Sequence, residues 1–313
     1  MMERVMENFA RSIQFLSRAP YKIEGTHLAQ CLCEVERQVR STKQLIDDEQ
    51  EDLYTGLMTE NRRENQQLWN EWSDNFQALW NADTADGELP PAPSPFGLDG
   101  PGEPQPDILD SVAGNDYVEL GCGGGQASVG TANLGAETVV GVDISGEQLQ
   151  HARQLRDFYD VDAQFLKGDI TNLPLPNDSF DVASSETVYQ MVKHLDEAFR
   201  EVCRILRDGG IFVLSVPHPI HESLDPETET FERSYYDTSR REITINDDYE
   251  ANLIVFDHTV ADLHNALVDA GFTVKRLLEP RHHKTEYTDP NDSDLPELLW
   301  KVPGSVRIWA IVE

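Results

Sequence analysis

The second half of the chain alternates short β-rich runs with helical stretches. Runs of apolar and β-branched residues after residue 107 predict seven strands, at 117–120, 138–142, 163–166, 180–184, 211–216, 272–277 and 306–312. Apolar residues spaced three and four apart predict helices at 146–159, 188–206 and 258–270. This alternation predicts a doubly wound α/β domain over residues 107–313, with a seven-stranded, mostly parallel sheet covered by helices on both faces.

The first hundred residues follow a different pattern. Residues 1–58 carry a helical stripe and a nearly balanced charge, which predicts an N-terminal helical extension that the core does not need. Residues 59–106 predict a helix over 60–81 and then a linker rich in proline and glycine. The helix has an apolar stripe formed by Leu68, Trp69, Trp72, Phe76, Leu79 and Trp80. It either docks on the core or forms a lid over a ligand site.

A glycine-rich turn follows the first predicted strand of the sheet. The segment reads Val118-Glu119-Leu120-Gly121-Cys122-Gly123-Gly124-Gly125, and a helix is expected directly after it. Glycines let the backbone bend sharply and approach a ligand without an intervening Cβ. The start of the next helix offers unpaired N–H groups to a polar ligand. The turn therefore predicts a nucleotide-type site at the carboxyl edge of the sheet.

Two nucleotide sites compete for this turn. A dinucleotide fingerprint needs a small residue five positions after its first glycine, where this chain has Gln126. The acid two residues before the first glycine, followed by glycines at every second position, instead resembles the first motif of class I S-adenosylmethionine-dependent methyltransferases. Later segments resemble the same family in order: the acid ending 140–143, the Gly-Asp of 168–169 and the segments 173–181 and 194–210. The type 11 branch is the most similar.

The resemblance implies S-adenosylmethionine as cofactor and a set of residues that hold it. Glu119 would act near the methionine part, and Asp143 would hold the ribose hydroxyls, with Ile144 beside it. Asp169 would meet the adenine amine, and Ile170 would pack on the base. The remaining members of the set are Gly121, Gly123, Gly125 and Ser185. Simpler roles stay open, since the aspartates can cap loops and Glu119 can belong to a buried network.

Three side chains are candidates for a base or an acceptor-orienting group. His218 follows the strand at 211–216, Glu186 follows the strand at 180–184, and His194 opens a helical segment. Each also has a structural interpretation, because Glu186 and Ser185 can cap the helix and His194 can orient a loop. The histidines of the Pro-His-Pro-Ile-His segment lack the carboxylate spacing of a metal site, so no metal is expected.

Charge and composition narrow the range of partners. The net charge is −32, from 57 acidic and 25 basic residues. An acidic surface with little lysine is typical of proteins that stay soluble in a salt-rich cytoplasm, so we expect a cytoplasmic protein of a halophile. Lysine and arginine clusters for a phosphate backbone are missing, and no apolar run is long enough for a membrane span. Four cysteines without paired spacing fit reduced thiols.

These observations predict a methyltransferase that acts on a small-molecule or lipid-like acceptor. The segment after the strand at 180–184 lacks the Asp/Asn-Pro-Pro-aromatic sequence that presents a flipped base to many nucleic-acid methyltransferases. Residues 219–257 interrupt the alternation at the carboxyl edge, and we expect this insertion to build the acceptor pocket. The alternatives are a non-catalytic methyltransferase-like binding module and a nucleotide-binding oxidoreductase. The oligomeric state is left open.

Overall fold

A computed structural model describes residues 60–85, 112–225, 228, 230–280 and 301–313. The described residues from Glu64 onward belong to one compact unit. The predicted extension over residues 1–58 and the linker beyond Ala85 lie outside the described residues.

The described elements follow the predicted alternation. The helices are α1 Glu60–Ala85, α2 Gln126–Asn133, α3 Gly146–Tyr159, α4 Leu195–Ile205 and α5 Val260–Asp269. The strands are β1 Asp116–Leu120, β2 Thr138–Asp143, β3 Gln164–Lys167, β4 Phe180–Glu186, β5 Leu206–Pro217, β6 Leu224–Asp225, β7 Thr230–Phe231, β8 Arg240–Ile243, β9 Leu253–Phe256, β10 Phe272–Leu278 and β11 Ser305–Val312.

Seven of these strands form one sheet in the order β10-β11-β5-β4-β1-β2-β3. Strands β1 to β5 pair in parallel, whereas β11 runs antiparallel to both β5 and β10. The predicted fold class, a doubly wound and mostly parallel seven-stranded sheet, is therefore confirmed. Because β1 to β5 are parallel, their carboxyl ends share one edge, and the order reverses between β1 and β4.

Each face of the sheet has its own apolar core. On one face, Phe199 of α4 and Leu263 of α5 share a core with Phe212 of β5, and the rings of Tyr189 and Phe199 stack 4.8 Å apart. On the other face, α2 and α3 contribute Val129 and Leu149. The two cores fix the helices on both sides, as expected for strands that are apolar along their whole length.

The helix predicted over residues 188–206 is wrong in its first third. Residues Tyr189–Met191 form one 3₁₀ turn, and α4 begins only at Leu195. The backbone is extended at Val192, and its carbonyl accepts a hydrogen bond from His258 instead of a helical N–H. The strand predicted at 211–216 also begins earlier, directly after α4, and passes through Gly209 at a φ of 78°.

The insertion over residues 219–257 contains two short hairpins, β6–β7 and β8–β9. The last helix begins later than predicted, at Val260, because Thr259 and Asp262 form a reciprocal capping box. Among the described residues, no helix is long and apolar enough to cross a membrane.

Replacing Phe199 by alanine tests the core beneath α4. The side chain is fully buried against Tyr189 and Phe212. We expect Phe199→Ala to lower the free energy of unfolding by about 3–5 kcal/mol, because lost burial and a cavity both destabilise. Urea unfolding at constant salt measures this value. Phe158→Ala is the matched control, since the Phe158 side chain is 62% exposed; equal losses in the two variants would contradict the assignment.

Candidate cofactor site

The glycine segment forms a tight backbone bend at the end of β1. Gly121, Gly123 and Gly125 all have positive φ, at 75°, 49° and 76°. The Gly121 and Cys122 N–H groups both donate to the Val142 carbonyl at the end of β2, at 2.7 and 3.0 Å. A Cβ on Gly121 would lie 2.2 Å from Val188 Cγ2, so a side chain does not fit there.

Asp143 fixes the bend to the end of β2. Its Oδ2 accepts the Gly123 N–H at 2.8 Å, and its Oδ1 accepts the Ser145 N–H at 2.8 Å. The carboxyl group is buried, and this burial raises its pKa while the N–H donors lower it. Asp143 therefore faces the glycine bend. It also caps the loop before α3, because it accepts the hydrogen bond from Ser145.

Glu119 is buried in β1 just before the bend. Ser128 of α2 donates to its Oε2. Burial raises the pKa of Glu119 to about 8, although the hydrogen bonds from Ser128 lower it. The nearby carboxylates of Glu186 and Asp143 also raise this pKa. Glu119 is consequently protonated near neutral pH and is poised to ionise if a cation enters.

The residues after β2 and β3 lie at the same edge. The Ile144 side chain is half-buried, whereas Ile170 packs into the core beside Val142. Asp169 is buried, and its Oδ1 accepts hydrogen bonds from the backbone N–H and the hydroxyl of Thr171, both at 2.8 Å. Oδ1 of Asp169 therefore caps its own loop, as the structural interpretation of this residue predicted.

The end of β4 contributes Ser185 and Glu186. The buried Ser185 hydroxyl donates to the Leu120 carbonyl at 2.7 Å and so ties β4 to the start of the bend. The Glu186 side chain is exposed at the end of β4; desolvation raises its pKa, and the charge of Arg307 lowers it. The expectation that these two residues cap a helix is wrong, since the 3₁₀ turn at 189 has no side-chain cap.

The two candidate histidines occupy different surroundings. His218 is 2% exposed, its Nδ1 accepts the Ile220 N–H at 3.1 Å, and its Nε2 lies 2.9 Å from Glu279 Oε1. Both ring nitrogens of His218 are therefore engaged in holding the turn after β5. His194 is exposed and precedes α4 without making a side-chain cap.

Helix α1 lies across the bend through a row of side-chain amides. The buried Gln77 donates to Gln148 Oε1 at 2.8 Å and accepts from Gln126 Nε2 at 2.7 Å. A Cβ on Gly124 would lie 2.5 Å from the Gln77 amide, so this glycine leaves the space that Gln77 fills. The sequence reasoning missed Gln77. The helical spacing of α1 places Gln77 outside the apolar stripe, with Gln66 and Asn70, so no sequence pattern indicated that it is buried.

Further along, the amides of α1 reach the end of β2 and the insertion. Gln66 donates to the Ile144 carbonyl at 2.8 Å, and Ser145 donates to Asn70 at 2.8 Å. On the other side, Asn65 exchanges two hydrogen bonds with the backbone of Ile254, at 2.9 and 2.7 Å. Helix α1 thus connects the cofactor edge to the insertion.

The aromatic residues of α1 form their own cluster. The rings of Trp69 and Trp72 stack 5.1 Å apart, and Phe76 packs edge-on against both. Leu68 is fully buried, whereas Leu79 is 60% exposed, so the apolar stripe ends earlier than expected. Helix α1 therefore docks on the core and at the same time covers the edge of the sheet that carries the bend.

The residues at this edge fit S-adenosylmethionine. The bend has no side chain at its turning points, and Asp143 supplies a buried carboxylate next to it. The Gln148 Nε2 atom is buried and has no hydrogen-bond partner, so a ligand acceptor would satisfy it. Glu119 offers a carboxyl group that a cation would ionise. No group of His, Cys, Asp and Glu side chains able to hold a metal ion occurs in the described part of the chain.

Comparisons with known proteins agree with this geometry. Residues 118–214 match the type 11 family described as a methyltransferase domain. A protein of Mycolicibacterium smegmatis named probable S-adenosylmethionine-dependent methyltransferase is 35% identical over 116 residues, which are 36% of this chain and 42% of that protein. A fatty-acid O-methyltransferase of the same organism is 29% identical over 36% of this chain and 40% of its own length. The chain thus spans less than half the length of these curated relatives.

The fold has a counterpart among solved structures. A crystal structure of an S-adenosylmethionine-dependent methyltransferase from Mesorhizobium loti superposes with a TM-score of 0.54 at 29% identity, and the match covers 69% of this chain and all of that one. The ordered sheet, the glycine bend and these matches together make the described domain similar to the class I S-adenosylmethionine-dependent methyltransferases, most clearly over residues 118–214.

Proposed function

We propose that the protein transfers a methyl group from S-adenosylmethionine to a small-molecule or lipid-like acceptor. One observation carries the proposal: a side-chain-free bend is locked to the buried Asp143 carboxylate, next to a buried Glu119 that can ionise. Bound S-adenosylmethionine supplies a sulfonium with an electrophilic methyl group. The protein has to hold the two reactants in line and exclude water, which contributes about 7–11 kcal/mol in favourable cases.

The proposed binding roles follow from the hydrogen-bonding capacity of each group. Each Asp143 oxygen accepts one backbone N–H and keeps a second lone pair, so the same carboxylate has room for ribose hydroxyls. Asp169, with Ile170 and Ile144, is proposed to contact the adenine end. Ser185 is proposed to act through Leu120, by holding the bend in place.

For the acceptor, Glu186 is the proposed orienting group among the three sequence candidates. It is exposed at the end of β4, in register with Ser215 of β5, which in turn pairs with Arg307 of β11. The engaged nitrogens of His218 favour a role in holding the turn that follows β5. His194 is proposed to be peripheral, since its side chain is exposed and makes no capping hydrogen bond at the helix start.

Two observations support the proposed acceptor class. The relative that is named a fatty-acid O-methyltransferase supports a lipid-like or small-molecule acceptor. The net charge of −32 disfavours nucleic acid, because counterion release needs clusters of lysine and arginine.

Removing the Asp143 carboxylate is expected to weaken S-adenosylmethionine binding by at least about tenfold, because charge-assisted hydrogen bonds to the ribose are lost. Isothermal titration calorimetry of Asp143→Ala in molar salt measures this. The matched control is Asp157→Ala, in which an exposed aspartate of α3 is removed. An unchanged affinity in a folded Asp143→Ala protein would refute the ribose assignment, and absence of binding by the folded wild type would refute the proposed function.

Cofactor binding is expected to release a proton from Glu119. The carboxyl group has a pKa of about 8 in the free protein, and a nearby cation favours its ionised form. Affinity should therefore rise as the pH increases toward 8 and level off above it, with net proton release on binding at pH 7. Calorimetry in buffers of different ionisation enthalpy counts the protons. Glu119→Gln should bind more weakly and abolish this release; an unaltered release would show that another group is its source.

Labelled methyl transfer tests the reaction itself. Incubation of the full chain with methyl-labelled S-adenosylmethionine and fractionated extract from salt-adapted cells is expected to label a small-molecule or lipid fraction. Label in a nucleic-acid fraction would contradict the proposal that the acceptor is a small molecule or lipid. Cofactor binding without any labelled product would instead favour the non-catalytic module.

A further inference from the structure

A row of polar side chains crosses the sheet at its carboxyl edge. Glu186 at the end of β4 pairs in register with Ser215 of β5, and Ser215 pairs with Arg307 of β11. Side chains paired in this way point to the same face of the sheet. Because neighbouring strands lie about 4.8 Å apart, the Cα atoms of Glu186 and Arg307 are about 10 Å apart. The row therefore has a carboxyl group at one end and a guanidinium group at the other.

The row lies on the face of the sheet that carries Glu119. Glu119 pairs in register with Ser184, and the side chains of Ser184 and Glu186 share a face because they are two residues apart in β4. Burial raises the pKa of Glu119, and the charge of Glu186 raises it further. Desolvation raises the pKa of Glu186, whereas the charge of Arg307 lowers it. Glu186 therefore interacts with the cofactor edge on one side and with Arg307 on the other.

Strand β11 has one covered face and one half-covered face. Its residues Val306, Ile308 and Ala310 are buried in the core that α4 and α5 share. Arg307 and Trp309 alternate with them, so they point to the opposite face, where both are half-buried. This second face is the one that carries the row. A ligand at the carboxyl edge can therefore reach the polar atoms of Arg307.

Two N–H donors on this face of β11 lack acceptors. Arg307 Nε and Trp309 Nε1 are both buried, and neither makes a hydrogen bond within the described part of the chain. Buried donors are satisfied in most proteins, so each of these needs a partner. Arg276 of β10 adds a second positive charge, since its guanidinium carbon lies 5.8 Å from the centre of the Trp309 ring. This combination favours an anionic ligand, although the net charge of the protein is −32.

We propose that Arg307 binds a carboxylate of the methyl acceptor, with Trp309 and Arg276 beside it. This inference rests on the proposed function and narrows its acceptor class to a small molecule or lipid that carries a carboxylate. The planar guanidinium group matches a carboxylate through two parallel hydrogen bonds. Glu186 repels a carboxylate, whereas Arg307 attracts it. The anionic end of the acceptor therefore lies toward β11, and its other end lies near Glu186 and the bend.

Octanoate and octanamide are the probes, because they share one apolar chain and only octanoate is charged. Calorimetry on the full chain at constant salt measures both affinities, and ¹⁵N NMR follows the Arg307 Nε–H signal, which Arg307→Gln assigns. Octanoate should shift that signal and bind at least about tenfold more tightly than octanamide, because hydrogen bonds between ionised groups are stronger than neutral ones. Equal affinities, no octanoate binding, or an unchanged Arg307 signal would overturn the proposal.

Three variants separate this site from a general effect of charge or structure. Arg307→Gln should weaken octanoate binding about tenfold, leave octanamide binding unchanged and keep the affinity for S-adenosylmethionine. Arg307→Lys keeps the charge without the forked donors and should restore part of the preference for octanoate. The matched control is Arg200→Gln, which removes the same charge from an exposed position on α4. Equal losses in Arg307→Gln and Arg200→Gln would show that octanoate responds only to net charge and would overturn the proposal.

Calorimetry with S-adenosylmethionine on the same preparation separates the two proposals. Cofactor binding without a preference for octanoate would refute the carboxylate site and leave the methyltransferase proposal in place. An Arg307-dependent preference for octanoate in a folded protein that binds no cofactor would refute the methyltransferase proposal, and with it the assignment of the carboxylate to a methyl acceptor.

Discussion

The site depends on one buried carboxylate that is bonded to two backbone N–H groups. Asp143 holds Gly123 on one side and Ser145 on the other, each at 2.8 Å, and thereby fixes the bend after β1 to the start of α3. The cost of burying this carboxyl group is offset only while both donors stay in place. The bend in turn needs glycine, since a Cβ at Gly121 would overlap Val188. The Asp143 carboxylate and the glycines of the bend therefore determine both the backbone geometry after β1 and the kind of ligand that fits there.

Helix α1 adds a second layer to this arrangement. Its polar side chains bond to the bend, to the end of β2 and to the insertion, so one rigid element links three parts of the site. Side-chain amides suit this position because each offers both a donor and an acceptor and carries no net charge. A lysine or glutamate in place of Gln77 would leave a buried charge above the bend. The helix can therefore cover the edge without disturbing the carboxylates beneath it.

The sequence predicted the sheet and the cofactor edge because both are encoded locally. Alternating apolar runs predict strands, and the glycine spacing after β1 predicts the bend. Residues 188–194 were assigned wrongly because the carbonyl of Val192 is satisfied by His258, 66 positions away in the chain, which no periodicity reveals. His218 was chosen for its place after β5, and both of its ring nitrogens are engaged. Gln77 was missed because its partners, Gln126 and Gln148, are defined only by tertiary contacts.

The raised pKa of Glu119 explains how two neighbouring acidic side chains can both be buried at this edge in a protein of net charge −32. Asp143 is held by backbone donors, and ionising Glu119 beside it would add a second buried negative charge. Raising the pKa of Glu119 to about 8 avoids this charge, because the group keeps its proton near neutral pH. When a sulfonium ligand binds, its positive charge compensates the Glu119 carboxylate, so Glu119 can lose its proton. Glu119 can therefore stay uncharged beside Asp143 in the free protein and ionise when a cation is bound.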